Sequence, residues 1–347
     1  MKNLKTDIRN LKTEDLEFFF KKNNSPKFRA HQVLDWIWKH HELDFNKMTN
    51  LGLSDRKLLE KNFSIDQLHI IKEKTSLDGT VKFLFKLENS KAVEGVLIPQ
   101  LKRLTACISS QVGCSLACKF CATGKLKLYR NLTAGEIYDQ VFLINEYAIK
   151  KFSSPITNIV FMGMGEPLLN FKNVLRSIGY ITDPNGMGMS GNRITVSTVG
   201  ITKIIRKIAD MTPNFNLAIS LHSANEQIRN SIMDINKTNN LNDLKKALEY
   251  FYQKTKIKPT YEYVLLKGIN DSIQDAKKLV EFCRKIPSKV NLIEYNKVVN
   301  IPYEKSEAKT TQLFIDILEK HNILVKFRRS RGEDIGAACG QLATQNK

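Results

Sequence analysis

From about residue 105, short strand-like runs alternate with helical ones, and this alternation constrains the fold more than any other feature of the chain. The strands read as LTACISS, NIVFMGM, RITVSTV, NLAISLH, TYEYVLL and KVNLIEY. Helical segments such as AGEIYDQVFLINEYAIKKF and LNDLKKALEYFYQKT separate them, and Thr133 with Glu136 forms a capping box at the start of the first. Six β-then-α units in succession imply an α/β fold with a parallel sheet, since parallel neighbours need a crossover that a helix can supply. Such a sheet either curls into part of a barrel or opens into a doubly wound layer. A last strand, ILVKFRRS, precedes a glycine-containing tail, RGEDIGAACGQL.

The chain has 347 residues, more than one average domain. Residues 1 to about 75 carry apolar residues at helical spacing in LEFFFKK and AHQVLDWIWKHHEL, which predicts a small helical accessory domain, a candidate RNA contact, with Trp36 and Trp38 read as packed in its core in preference to stacking on bases. Between 76 and 100, GTVKFLFKLENSKAVEGVLIP alternates in strand fashion around a turn at Glu88, Asn89 and Ser90 and stops at Pro99. The expected division is therefore a helical domain over 1–75, a hairpin-like linker over 76–100, and a barrel with its tail over 101–347.

In parallel α/β folds ligands gather at the carboxyl ends of the strands. Here CSLACKFCATGK follows the first strand, and Gly163 to Pro167 follows the second. Ser197 ends the third, Ser220, Leu221 and His222 end the fourth, and Asn296 ends the sixth. Any one of these is an ordinary turn by itself. Together they outline one site on one rim.

Cys114, Cys118 and Cys121 are spaced C-x3-C-x2-C with no histidine nearby. The amino terminus lacks a secretory stretch and no apolar run is long enough to cross a bilayer, so the expected location is cytoplasmic, where thiols stay reduced. Clustered cysteines there indicate a metal or redox site rather than disulfides. Structural zinc wants four ligands, and the fourth would have to come from Cys107 or from farther away. An iron–sulfur cube held by three thiolates keeps one iron open to a small molecule. Cys283, on the apolar face of LVEFCRKI, reads as core.

Lys and Arg total 54 against 35 for Asp and Glu, a formal charge of +19. Such an excess attracts polyanions, RNA or DNA, over about a Debye length, roughly 8 Å in physiological salt. No single block concentrates the charge, so it marks no particular face.

CSLACKFCATG resembles the signature of the radical S-adenosylmethionine superfamily, and with CISSQVGC, FMGMGEPLLN, ITVSTVGI, AISLH and RGEDIGAACGQL the chain resembles the RlmN-type dual-specificity RNA adenine-C2 methyltransferases over almost its whole length. The resemblance implies a (βα)6 partial TIM-type barrel, one [4Fe–4S] cluster on Cys114, Cys118 and Cys121, and S-adenosylmethionine against Gly165, Glu166, Ser197, Ser220, Leu221, His222 and Asn296. It implies that Cys339 is S-methylated, that Cys107 is its resolving partner and that Glu94 accepts a proton. Two S-adenosylmethionine molecules are used per turnover in that family's scheme, one to methylate Cys339 and one cleaved reductively so that the methyl carbon can add to adenine C2. The implied partners are 23S rRNA, tRNA and a reducing electron donor such as flavodoxin or ferredoxin, with no membrane and a monomeric chain. The chain departs from the family at Gly95, where a larger residue is common after the glutamate, and at Gly336. Other readings of the same residues are a Cfr-type C8 methyltransferase, a non-catalytic iron–sulfur RNA-binding protein, and a zinc-stabilised α/β protein.

Overall fold

The structure, a computed structural model, describes residues 5–88 and 90–343, so Asn89 of the expected turn lies outside the described residues. The amino-terminal part holds β1 (Thr6–Asp7), α1 (Thr13–Lys22), α2 (Arg29–Trp38), α3 (Leu53–Asn62) and β2 (Phe63–Ser64), with β1 and β2 paired in parallel. Leu16, Phe20, Val33 and Ile37 bury the apolar stripes of α1 and α2. Trp38 stacks on Tyr180 at 3.7 Å, which seats this helical part on the rest of the molecule.

A meander follows, made of β3 (His69–Thr75), β4 (Val81–Lys86), β5 (Ala92–Gln100) and β6 (Arg103–Cys107). A short ribbon of β7 (Gln111–Val112) and β8 (Arg130–Asn131) encloses the cysteine loop. From there the chain runs α4 (Ala134–Phe152), β9 (Asn158–Phe161), α5 (Phe171–Thr182), β10 (Ile194–Thr198), α6 (Thr202–Asp210) and β11 (Asn216–Ser220). It continues through α7 (Glu226–Ile232), α8 (Leu241–Thr255), β12 (Thr260–Leu265), α9 (Ile273–Cys283), β13 (Lys289–Glu294), α10 (Ala308–Lys320) and β14 (Leu324–Arg328). The ten-stranded sheet has the order β14-β13-β12-β11-β10-β9-β6-β5-β4-β3, parallel from β6 to β14 and antiparallel beyond β6. This is the barrel-type α/β fold with a helical amino-terminal part. The Thr133–Glu136 capping box opens α4, and Cys283 is buried in the core.

Two boundaries differ from the sequence expectation. The helices end at Asn62, and His69–Thr75 is a strand. HIIKEKT is exposed at all but Ile70 and lacks apolar alternation, because it is an edge strand whose partner is β4 alone. The stretch 76–100 is no separate linker, since β4 and β5 continue the main sheet and β5 pairs with β6. Strand β5 runs through Gly95, where a side chain would meet the Phe85 ring at 2.8 Å. Phe85 therefore fills the space of the residue that Gly95 lacks.

The pleat divides this region into two faces. Phe83 and Phe85 point toward α4, with Phe83 edge-on to Tyr147 at 4.9 Å. On the other face Leu84 pairs with Glu94, and Val96 pairs with Cys107. The last segment returns across the strand ends. Gly332 donates its N–H to Asp78 at 3.0 Å, and Asp334 accepts from Ser76 Oγ at 2.6 Å and from the Leu77 N–H at 3.2 Å.

Arg9 ties the amino-terminal part to the barrel. Its guanidinium is fully buried, 2.8 Å from Asp139 on α4 and 3.3 Å from Asp7, above Gly135, where a side chain would strike it at 2.7 Å. Arg9→Met should leave Asp139 and Asp7 buried without this cation and cost about 3–5 kcal/mol. Both tryptophans of the chain, Trp36 and Trp38, lie on α2, so a urea titration followed by tryptophan fluorescence reads this domain; an unchanged midpoint would contradict the role of Arg9.

Candidate active site

At the carboxyl ends of the parallel strands lies a cavity of about 990 Å³, counting the open solvent at its mouth. Cys114, Cys118, Cys121, Gly165, Glu166, Ser197, Ser220, His222, Asn296 and Cys339 all line it. Leu221 does not; its side chain is buried in the core, and its carbonyl accepts from Arg229 Nε at 3.0 Å. Glu94 and Cys107 also stand outside this lining.

The cysteine loop is held at its base by the β7–β8 ribbon, where Val112 pairs with Arg130. Gly113 turns the chain with φ +78°, and a side chain there would sit 2.1 Å from the Lys127 carbonyl oxygen. Only glycine fits. The far end of the loop is bound to the carboxyl-terminal tail: Ala122 donates its N–H to the Gly340 carbonyl at 2.7 Å, and Thr123 Oγ1 donates to the Leu342 carbonyl at 2.5 Å.

Burial pushes the Cys114 thiol up to about 11 and raises Cys118 and Cys121, with the neighbouring thiols adding repulsion at Cys114 and Cys118. Three such thiols on one wall become thiolates only against a strong cationic centre. Among the described residues no group of three or more His, Cys, Asp or Glu converges on a single metal ion, so a tetrahedral zinc site lacks its ligand set. The donor set suits a polynuclear iron–sulfur group instead. Asn296 adds a second sign of a ligand. Its Nδ2 donates to the Cys339 carbonyl at 3.1 Å, while its buried Oδ1 has no partner among the described residues. An acceptor left so costs free energy until a donor arrives.

Glu166 is 3% exposed, and each of its oxygens accepts one backbone N–H, from Leu168 at 3.0 Å and from Val199 at 2.9 Å. Burial still holds its carboxyl up at about 7. His222 is held near 3 by burial and by Arg229, so it is neutral. Its Nδ1 accepts the Val264 N–H at 3.1 Å, which puts the ring proton on Nε2. Ser197 and Ser220 hydroxyls lie 3.4 Å apart across neighbouring strands.

Three charged residues escaped the sequence reading. Arg229 is fully buried and donates to the Leu221 and Val199 carbonyls, pinning the loops after β11 and β10 beside Cys118. Glu262 interrupts the apolar run of β12, accepts from Asn291 Nδ2 at 2.8 Å, and faces Arg328 Nη1 at 3.5 Å. Arg328, the last residue of β14, acts electrostatically on both Cys107 and Cys339. These two thiols, far apart in sequence, are both free and close enough to repel each other as thiolates. Cys107, the last residue of β6, is buried, whereas Cys339 is exposed to the cavity.

Glu94 is 6% exposed and lies on the far side of the tail, in the wall of a second cleft. Its carboxylate is 3.3 Å from Lys82 Nζ and accepts the Ala343 N–H at 2.8 Å. Burial raises its affinity for a proton, opposed by Lys82.

Comparison with known proteins agrees with this geometry. Residues 108–283 match the radical SAM superfamily, and residues 6–65 match the ribosomal RNA large subunit methyltransferase N-terminal domain. The chain is 48% identical to a probable dual-specificity RNA methyltransferase RlmN of Christiangramia forsetii, over 100% of this chain and 98% of the relative. It is 51% identical to a protein of the same description from Cytophaga hutchinsonii, over 97% of this chain and 92% of the relative. The crystal structure of a radical SAM methyltransferase from Sphaerobacter thermophilus superposes with a TM-score of 0.89 at 35% identity, covering 97% of this chain and 99% of that one.

Burial moves the Cys107 thiol up to about 12. Its alkylation by iodoacetamide at pH 8 should therefore be about a thousandfold slower than that of a thiol near its ordinary value, and should still be rising above pH 10. Peptide mass analysis of timed aliquots measures it. A rate that levels off near pH 9 would contradict the buried, proton-holding state of Cys107.

Proposed function

The chain belongs to the RlmN family of dual-specificity RNA methyltransferases within the radical SAM superfamily, and from that premise we propose that it methylates C2 of adenosine in 23S rRNA, at the peptidyl-transferase centre, and in tRNA, beside the anticodon. Cys339 carries the methyl carbon to the base in this reading. The observation that supports it most is that Cys339, from the far end of the chain, lines the same cavity as the three-cysteine loop, held there by Asn296, while Arg328 bears on the charge of both Cys339 and Cys107.

The family implies a [4Fe–4S] cluster and S-adenosylmethionine, which when bound supply a methyl group and the one-electron chemistry that a carbon as electron-poor as adenine C2 needs. Cys114, Cys118 and Cys121 hold the cluster in this proposal. Gly165, Glu166, Ser197, Ser220, His222 and Asn296 form the wall for S-adenosylmethionine. Glu166 offers a carboxylate that a bound ammonium would draw toward ionisation, and Asn296 offers its unpartnered Oδ1. Leu221 contributes through its backbone, which Arg229 holds.

Cys339 projects into the same cavity, held by Asn296 through its carbonyl. Glu94 takes the proton that leaves C2, a task suited to a buried carboxylate with a raised proton affinity. The Cys107 sulfur then attacks the Cys339 sulfur. That attack forms a disulfide, breaks the bond between the Cys339 sulfur and the carbon on the base, and leaves this carbon to take up a proton as the methyl group. Arg328 favours the thiolate that attacks, because it is the cation that offsets the burial of Cys107.

Deleting the gene and restoring it on a plasmid tests the reading directly. Nucleoside mass spectrometry should find 2-methyladenosine in 23S rRNA and in tRNA only when the intact gene is present. Methylation at C8, or at no adenosine, would overturn the assignment.

A further inference from the structure

Beside the tail lies a second cleft of about 1680 Å³, counting its open mouth, and among the described residues its lining holds five lysines, Lys72, Lys74, Lys82, Lys125 and Lys297, with Glu94 as the one carboxylate. We infer that this cleft is the track for the RNA backbone, its lysines holding phosphates so that the target base is delivered to Glu94 and to the thiols beyond it. The inference rests on the RNA-methylating reading above and adds where the RNA lies.

Sheet geometry carries the argument. Lys74 pairs with Lys82 across β3 and β4, Lys72 pairs with Leu84, and Leu84 pairs with Glu94. By the two-residue period of a strand, Lys72, Lys74, Lys82 and Glu94 share one face. Val96 extends that face to Cys107 through its pairing on β6. Lysine, carboxylate and thiol thus stand in order along a single surface. Lysines on an edge strand also discourage edge-to-edge pairing, and that accounts for Lys72 and Lys74 alone. It does not account for Lys125, which follows the cysteine loop, or Lys297, which follows β13, both converging on the same cleft from distant parts of the chain.

The roles divide by partner. Lys82 is engaged with Glu94 and the Gly336 carbonyl, and Lys125 donates to the Val299 and Asn300 carbonyls. Lys72, Lys74 and Lys297 are exposed and line the cleft. A row of exposed ammonium groups beside a single, already paired carboxylate is complementary to a phosphodiester chain.

Binding of a short RNA stem-loop with an adenosine in its loop, followed by fluorescence anisotropy from 50 to 200 mM salt, tests the track. The full-length protein is compared with two triple variants of equal charge loss, Lys72→Gln/Lys74→Gln/Lys297→Gln in the cleft and Lys277→Gln/Lys309→Gln/Lys320→Gln on α9 and α10. The cleft variant should lose about 0.7 in the salt slope per phosphate contact, about 2 in all, and the helix variant should keep the wild-type slope. Equal slopes for all three proteins, or equal losses for both variants, would overturn the track while leaving RNA binding in place. A wild-type protein that does not bind RNA would instead overturn the RNA-methylating reading and the track with it. Matching urea midpoints for the three proteins, read by tryptophan fluorescence, separate lost contacts from lost folding.

Discussion

The carboxyl-terminal tail, bound down across the barrel mouth, is the contact on which the rest of the site depends. Asp334 and Gly332 fasten it to the β3–β4 turn, Gly340 and Leu342 to the cysteine loop, Cys339 to Asn296, and Ala343 to Glu94. None of these bonds fixes the tail by itself. Together they give one short peptide a single path. That path separates the cavity of the three cysteines from the cleft of the lysines, and it sets Cys339 where it reaches into the first. It also leaves Glu94 spoken for by a tail N–H, so a base that approaches Glu94 must displace Ala343.

Charge is the other organising force. Burial holds Cys107, the three loop thiols, Glu166, Glu94 and Glu262 all toward their protonated forms. A site built so disfavours negative charge until cations arrive. Two arginines are already in place. Arg229, without a carboxylate within ion-pair distance among the described residues, hydrogen-bonds backbone carbonyls beside Cys118, and Arg328 pairs with Glu262 and bears electrostatically on the two distant thiols. The +19 net charge of the chain serves a different end, since most of it lies on solvated surface where it acts on a polyanion at a distance.

The barrel was legible because its strands are buried apolar runs with helices between them, and the rim because ligand residues fall where strands end. Phe85 beneath Gly95 shows how a departure from a family pattern can be absorbed by a cross-strand neighbour. What was not legible depended on partners far away in sequence. HIIKEKT carries no strand alternation, and only pairing with β4 makes it one. Glu262 looks like a lone polar residue in an apolar strand and Arg328 like one cation among several in KFRRS, and their meaning comes from one another. Leu221 falls within the rim motif, yet its side chain turns into the core. Glu94 was named from its motif, but that it opens on a separate basic cleft follows from the curl of the sheet.

The central claim is that Cys339 bonds to the RNA base and Cys107 releases it. On the proposed roles, replacing Cys107 with Ala removes the release and leaves the Asn296 bond to the Cys339 carbonyl in place. After expression in cells, nuclease digestion and peptide mass analysis of this variant should show an adenosine remnant on the peptide containing AACGQL, absent when Cys339 is also changed. A Cys107→Ala protein that methylates RNA normally, with no nucleoside on that peptide, would contradict the account.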